Sequence, residues 1–166
     1  MSKSPVCTKV QYRSPNSESG ERSNLLRTLA EWRVAPAGLI FFSANPTILI
    51  VEDEALIRLA LVDMFEEAGF AVLEAGDASE AMALIDRHAS GIEVLLTDIR
   101  LGKGPDGWDV ARHARSQLED LPIVFVSADS ANKWSEAGID RGVMLAKPVP
   151  DGDLFAAVRA GMEGPA

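Results

Sequence analysis

The sequence predicts an α/β domain built on a doubly wound, five-stranded parallel sheet. Two patterns predict it. From Pro46 onward, short apolar runs alternate five times with stretches whose apolar residues recur at helical spacing. The runs are also nearly continuous in apolar residues, as strands are when helices cover both faces of a parallel sheet. They are Thr47–Val51, Phe70–Leu73, Ile92–Leu96, Pro122–Val126 and Val143–Ala146.

The intervening segments read as helices for identifiable reasons. After the first run, Ile57, Leu61, Met64, Phe65 and Ala68 share one face, and Gly69 stands where a left-handed C-terminal cap belongs. Asp77, with Glu80 three places on, resembles a capping box that opens a second helix with Ala81, Leu84 and Ile85 inward. A third starts at Asp106-Gly107 and turns Val110, Ala111, Ala114 and Leu118 to the core. A short, weakly amphipathic fourth is expected over Ser130–Ala137. The last follows Pro150 and carries Leu154, Phe155, Val158 and Met162 on one side.

Charge divides the chain. Residues 1–46 hold six basic and three acidic side chains, whereas the remainder holds ten basic and twenty-two acidic. The first part is expected to be a mostly disordered extension with one short helix over Asn24–Val34, and residues 47–166 the folded domain. The overall net charge of -9 repels a phosphate backbone, which argues against direct nucleic-acid binding. Pro36, Asn45, Pro46 and Thr47 interrupt the apolar stretch from Val34 to Val51, and the first thirty residues lack the pattern of a secretory signal. No membrane association is expected. The lone Cys7 can form neither an internal disulfide nor a cysteine-based zinc site, which fits a reducing cytoplasm.

In an open parallel sheet, ligands bind beyond the carboxyl ends of the strands. The residues there are Glu52 and Asp53 after the first run, Asp98 after the third, Ser127 after the fourth and Lys147 after the fifth. The second run, ending at Glu74 and Ala75, offers no obvious site residue. Three carboxylates on neighbouring strand ends repel one another unless a cation intervenes. Oxygen-only ligands select Mg²⁺, or alternatively Mn²⁺, over zinc. Asp53 and Asp98 are expected to bind the ion directly and Glu52 through a water. A carboxylate beside such an ion can attack phosphorus. Lys147 then supplies a further positive charge, and the Ser127 hydroxyl a hydrogen bond, to the transferred group.

The stretches Val51-Glu52-Asp53-Glu54, Leu96-Thr97-Asp98-Ile99, Val126-Ser127-Ala128 and Ala146-Lys147-Pro148 resemble, in content and order, the motifs of the response-regulator receiver family of two-component signalling. The resemblance covers Asn45 to Met162 and implies a flavodoxin-like (βα)5 fold of the single-domain type. It implies that Asp98 takes phosphate from a phosphohistidine on a sensor histidine kinase or a histidine phosphotransfer protein. It further implies that Glu52, Asp53, Asp98 and the backbone carbonyl of Arg100 organise the metal, and that Lys147-Pro148 is a cis peptide. Such a protein is not an enzyme toward other molecules; it promotes only its own phosphorylation and dephosphorylation. With the chain ending just after the last helix, output is expected to pass through a separate, unidentified protein target.

Three features depart from the family's usual pattern. The loop after Asp98 is one residue longer, with Pro105 displaced; Met144 stands where an aromatic switch residue is common; and both positions that tune phosphate lifetime, Arg100 and Asp129, are charged. Two other functions rank lower. A magnesium-dependent phosphohydrolase with Asp98 as nucleophile would carry a second acid where Arg100 stands, and a phosphorylation-independent interaction module would not need the full set of acids, Ser and Lys. His88 and His113 are expected to be structural or solvent-facing, and Trp108 and Trp134 to pack over loops.

Overall fold

Alternation along each strand decides which helices it meets, because successive side chains point to opposite faces of a sheet. In the computed structural model, which describes residues 45–128 and 142–163, both faces of every central strand are covered. The elements are β1 (Thr47–Val51), α1 (Ala55–Glu67), β2 (Ala71–Ala75), α2 (Ala78–His88) with a 3₁₀ turn at Ala89–Gly91, β3 (Val94–Asp98), α3 (Gly107–Gln117), β4 (Ile123–Ser127), β5 (Gly142–Ala146) and α4 (Asp151–Glu163). All four strand pairings are parallel, in the order β2-β1-β3-β4-β5.

Leu49, Val51, Leu95, Ile123 and Phe125 face one side, where they pack with Ala81 and Ile85 of α2 and with Trp108, Val110 and Ala114 of α3. Ile48, Ile50, Val94, Leu96, Val124 and Val126 face the other, against Phe65 of α1 and Leu154 and Val158 of α4. Burial of this kind contributes about 1.5–3 kcal/mol for each large apolar side chain. Phe65 anchors the second layer through edge-on contacts with Phe70 and Phe155, at centroid distances of 5.3 and 5.0 Å. Trp108 belongs to the first layer rather than to a loop cover: it is 5% exposed and its ring lies 4.3 Å from that of Phe125.

The ends of the helices follow local chemistry. Gly69 adopts φ +89 and its amide donates to the Glu66 carbonyl, the left-handed cap expected after α1. Asp106 and Asp109 form a full capping box at α3, each side chain accepting from the other's backbone amide. At α2 the box is only half made. Asp77 accepts from the Glu80 amide at 2.8 Å, but the Glu80 carboxylate reaches one residue further back, to the amide of Gly76. The α3 helix stops at Gln117, so Leu118 is its half-buried cap and not its last turn. The predicted helices over Asn24–Val34 and Ser130–Ala137, together with Cys7, Asp129 and Trp134, lie outside the described residues.

β2, β3 and β4 lie further along the chain than their apolar runs, whereas β1 has the expected bounds and β5 begins one residue early, at Gly142. β2 runs Ala71–Ala75 rather than Phe70–Leu73, and β3 runs Val94–Asp98 rather than Ile92–Leu96. A parallel ladder is made by backbone groups, so it continues through Glu74, Thr97 and Asp98 where the apolar pattern has already ended. Pro122 has no amide to donate and the β4 pairing begins at Ile123, although the Pro122 carbonyl still accepts from Leu95.

Candidate functional site

The chain reverses its direction of travel across the sheet between β1 and β3, leaving a crevice at their carboxyl ends. Backbone pairing delivers four segments to that edge. Asp98 is the last residue of β3, opposite Val126, and Ser127 is the last of β4, opposite Ala146. The Glu52 amide donates to the Ala75 carbonyl at 3.1 Å, and the Lys147 amide to the Ser127 carbonyl at 3.0 Å, so both extend their ladders by one step. Their side chains therefore start from fixed positions.

The Lys147 ammonium joins two of the acids. Its Nζ donates to Asp98 Oδ2 at 2.6 Å and to Glu52 Oε2 at 2.9 Å. The second oxygen of Asp98 accepts from the Arg100 amide at 3.0 Å, and Glu52 Oε1 accepts from the Glu54 amide at 3.3 Å. Both oxygens of Asp98 are thus held, which fixes the plane of its carboxylate. Oxygens of Glu52, Asp53 and Asp98 all lie within 4.8 Å of one another. Glu52 is 3% exposed, whereas Asp53 is open to solvent.

Burial pushes the Glu52 carboxyl above its ordinary range, and the hydrogen bond and charge of Lys147 offset this only in part. Burial alone would lower the Lys147 ammonium, but its hydrogen bonds to Asp98 and Glu52 raise it above its usual value. Three carboxyl groups share this cluster with one ammonium, so its acidic groups are in excess. A hard divalent cation fits that excess and the all-oxygen donor set; Glu52, Asp53 and Asp98 are the side chains able to hold it.

The structure thus brings together Glu52, Asp53, Asp98 and Lys147 as the sequence leads one to expect. Ser127, 3% exposed, sits at the same edge, and Arg100 adjoins the group through its amide. The Lys147-Pro148 peptide is cis. Two contributors escape the sequence reading. A Cβ on Gly107 would lie 2.1 Å from the Asp98 carbonyl oxygen, so the start of α3 is pressed against the backbone that carries Asp98. Arg58 donates to the Glu52 carbonyl at 2.7 Å and pairs with Glu74 on β2, the strand that offered no site residue. Only the closeness of Gly107 to the apolar start of a helix, and the presence of a cation one turn past the acidic pair, could have signalled them.

Residues 48–159 match the response regulator receiver domain. The chain belongs to that family. Among curated relatives of this receiver domain, the transcriptional regulatory protein PdtaR of Mycobacterium tuberculosis is 37% identical over 114 residues, covering 67% of this chain and 54% of its own length. The transcriptional regulatory protein VxrB of Vibrio cholerae is 29% identical over 143 residues, 84% of this chain and 52% of its own. The receiver chain therefore spans about half the length of these curated relatives. Among solved structures, a response regulator receiver protein from Sinorhizobium medicae matches with a TM-score of 0.68 and 34% identity, over 72% of this chain and 95% of its own. No helix among the described residues of the receiver is long and apolar enough to cross a membrane.

Proposed function

We propose that this receiver accepts a phosphoryl group on Asp98 from a phosphohistidine of a sensor histidine kinase or histidine phosphotransfer protein, and signals through an altered fit to another protein. The observation that carries the proposal is the Lys147 ammonium bridging Asp98 and Glu52 beside the three-carboxylate cluster. An Asp98 oxygen forms the new bond to phosphorus while the phosphorus–nitrogen bond breaks and the imidazole nitrogen leaves with its electron pair. The Arg100 amide holds the carboxylate in place for that approach, and Lys147, already directed at Asp98, balances charge on the transferred oxygens. Ser127 donates its hydroxyl to another of them. Glu52, Asp53, Asp98 and the Arg100 carbonyl would hold magnesium, which would supply two further positive charges there.

Reaction with a separate substrate is not part of this reading, since the place two residues after Asp98, where a phosphohydrolase carries its second acid, is taken by Arg100. The test is direct. Incubation with Mg²⁺ and acetyl phosphate should add one phosphoryl group, detected by intact mass, that is labile at alkaline pH and absent in Asp98→Asn. An unmodified parent protein, or an adduct that survives Asp98→Asn, would overturn the assignment.

A further inference from the structure

The connection between β1 and α1 consists of Glu52, Asp53 and Glu54, three consecutive acids with no proline to stiffen it. Among the described residues, the Asp53 carboxylate has no hydrogen-bond or ion-pair partner, and it is exposed. Its direction is therefore set by its own backbone. The carbonyl of the Glu52–Asp53 peptide is the acceptor that Arg58 Nη1 holds at 2.7 Å.

Three elements converge on that guanidinium. Arg58 rises from the first turn of α1, where side chains lean back toward the helix start and so over the connection. Its Nε donates to Glu74 Oε2 of β2 at 3.0 Å. At the end of β2, a Cβ on Gly76 would lie 3.2 Å from Nη1 and 3.5 Å from Cζ, so a glycine leaves the seat in which the guanidinium rests. A cation in the first turn is opposed by the helix dipole, which makes this an unfavoured place for an arginine that served the helix alone. The planar fork offers separate donors in a fixed geometry, Nη1 to the carbonyl and Nε to the carboxylate, which the single ammonium of a lysine does not reproduce.

The geometry points to Arg58 as a positioning residue that fixes the Glu52–Asp53 peptide, and with it the aim of Asp53 into the carboxylate cluster. This rests on the reading of that cluster as a cation-dependent phosphoryl site. Glu74 is the counter-ion of the device and Gly76 its seat, so the edge strand takes part in the site without contributing a ligand.

The test uses the full chain carrying Arg58→Met, Arg58→Gln, Arg58→Lys or Glu74→Gln. Three quantities are measured: amide hydrogen exchange at Asp53 and Glu54 without metal, Mg²⁺ affinity by calorimetry, and the urea midpoint. Arg58→Met should speed exchange at these amides about tenfold and weaken Mg²⁺ about 10–100-fold, the usual consequence of losing a partner that orients a metal ligand. The midpoint should move little, because a half-exposed ion pair adds little stability. Arg58→Lys should fall between Arg58→Met and the parent, and Glu74→Gln, which keeps an acceptor, close to the parent. Arg58→Gln, whose shorter side chain cannot serve both the Glu52 carbonyl and Glu74, should reproduce the faster exchange; it decides the matter if Arg58→Met fails to fold. Parent-like exchange and Mg²⁺ affinity in Arg58→Met, or in Arg58→Gln, would overturn the inference. If the parent itself binds no Mg²⁺, the functional reading fails, while the exchange data still decide what Arg58 does.

Discussion

Replacing Gly107 with alanine places one methyl group where the structure has no room for it. The added Cβ would stand 2.1 Å from the Asp98 carbonyl oxygen and 2.9 Å from the Ile99 Cα, and both neighbours are backbone. Neither can rotate away. To restore even the 3.0 Å below which side-chain Cβ atoms are essentially never found, α3 and the end of β3 must separate by about 0.9 Å, against the Gly107 amide that donates to Ile99 at 2.9 Å. Overpacking of a rigid seam costs about 1–3 kcal/mol and alanine's better helix propensity returns at most about 1 kcal/mol, so a net loss of about 1–2 kcal/mol is expected. Gly152→Ala, at the exposed start of α4 with nothing within 4 Å, serves as the control and should stabilise by about 0.5–1 kcal/mol. Urea unfolding of the two variants measures the difference. A shift near 1 Å at a reacting group costs about 100-fold in rate, so phosphoryl uptake by Gly107→Ala from acetyl phosphate should slow by roughly that factor. A Gly107→Ala protein with the parent's midpoint and uptake rate would refute the claim that this close approach positions Asp98.

Two further outcomes follow from the packing and the surface charges. Phe65→Ala removes the ring that joins Phe70 and Phe155 and should cost about 3–5 kcal/mol in urea unfolding; a loss under about 1 kcal/mol would mean that the α1–α4 layer does not depend on it. Asp86 accepts from Gln117 Nε2 at 2.5 Å and from His113 Nε2 at 2.7 Å, and these bonds hold its carboxyl below the usual aspartate range. A depressed folded value gives stability that is complete above the ordinary aspartate value and lost as pH falls through the folded one. The midpoint gap between the parent and Asp86→Ala should therefore persist at about pH 6 and close below about pH 4, and a gap that widens on acidification would contradict it.

Much of the fold was legible because burial on two faces leaves little choice of residue. The central strands had to be continuous runs such as Ile48–Val51, and the faces expected for the four described helices meet the two layers, Ile57 apart. What the pattern missed is where backbone pairing outlasts side-chain burial. Glu74 lies within β2 and Asp98 within β3, yet each falls beyond the apolar run that advertised its strand. The shift matters for chemistry. Asp98 is held in the ladder opposite Val126 and is not suspended in a loop after it, so its backbone has the rigidity of the sheet.

The site divides in the same way. Charged residues at strand ends stand out against apolar neighbours, and Glu52, Asp53, Asp98 and Lys147 were readable on that contrast alone. Contributors that act through backbone atoms carry no such contrast. Gly107 works by having no side chain, and its requirement exists only because α3 meets the Asp98 carbonyl across a nine-residue separation. Arg58 looks like one of many helix cations until its partner is known to be a carbonyl in the acidic connection and its counter-ion a residue on another strand. A carboxylate cluster without these supports would still attract a cation, but the burial of Glu52 and, after it, the neighbouring charge of Asp98 oppose holding the acids together. Holding them together takes the Lys147 bridge on one side and a pinned connection on the other, and only the first of these shows in the chemistry of the side chains.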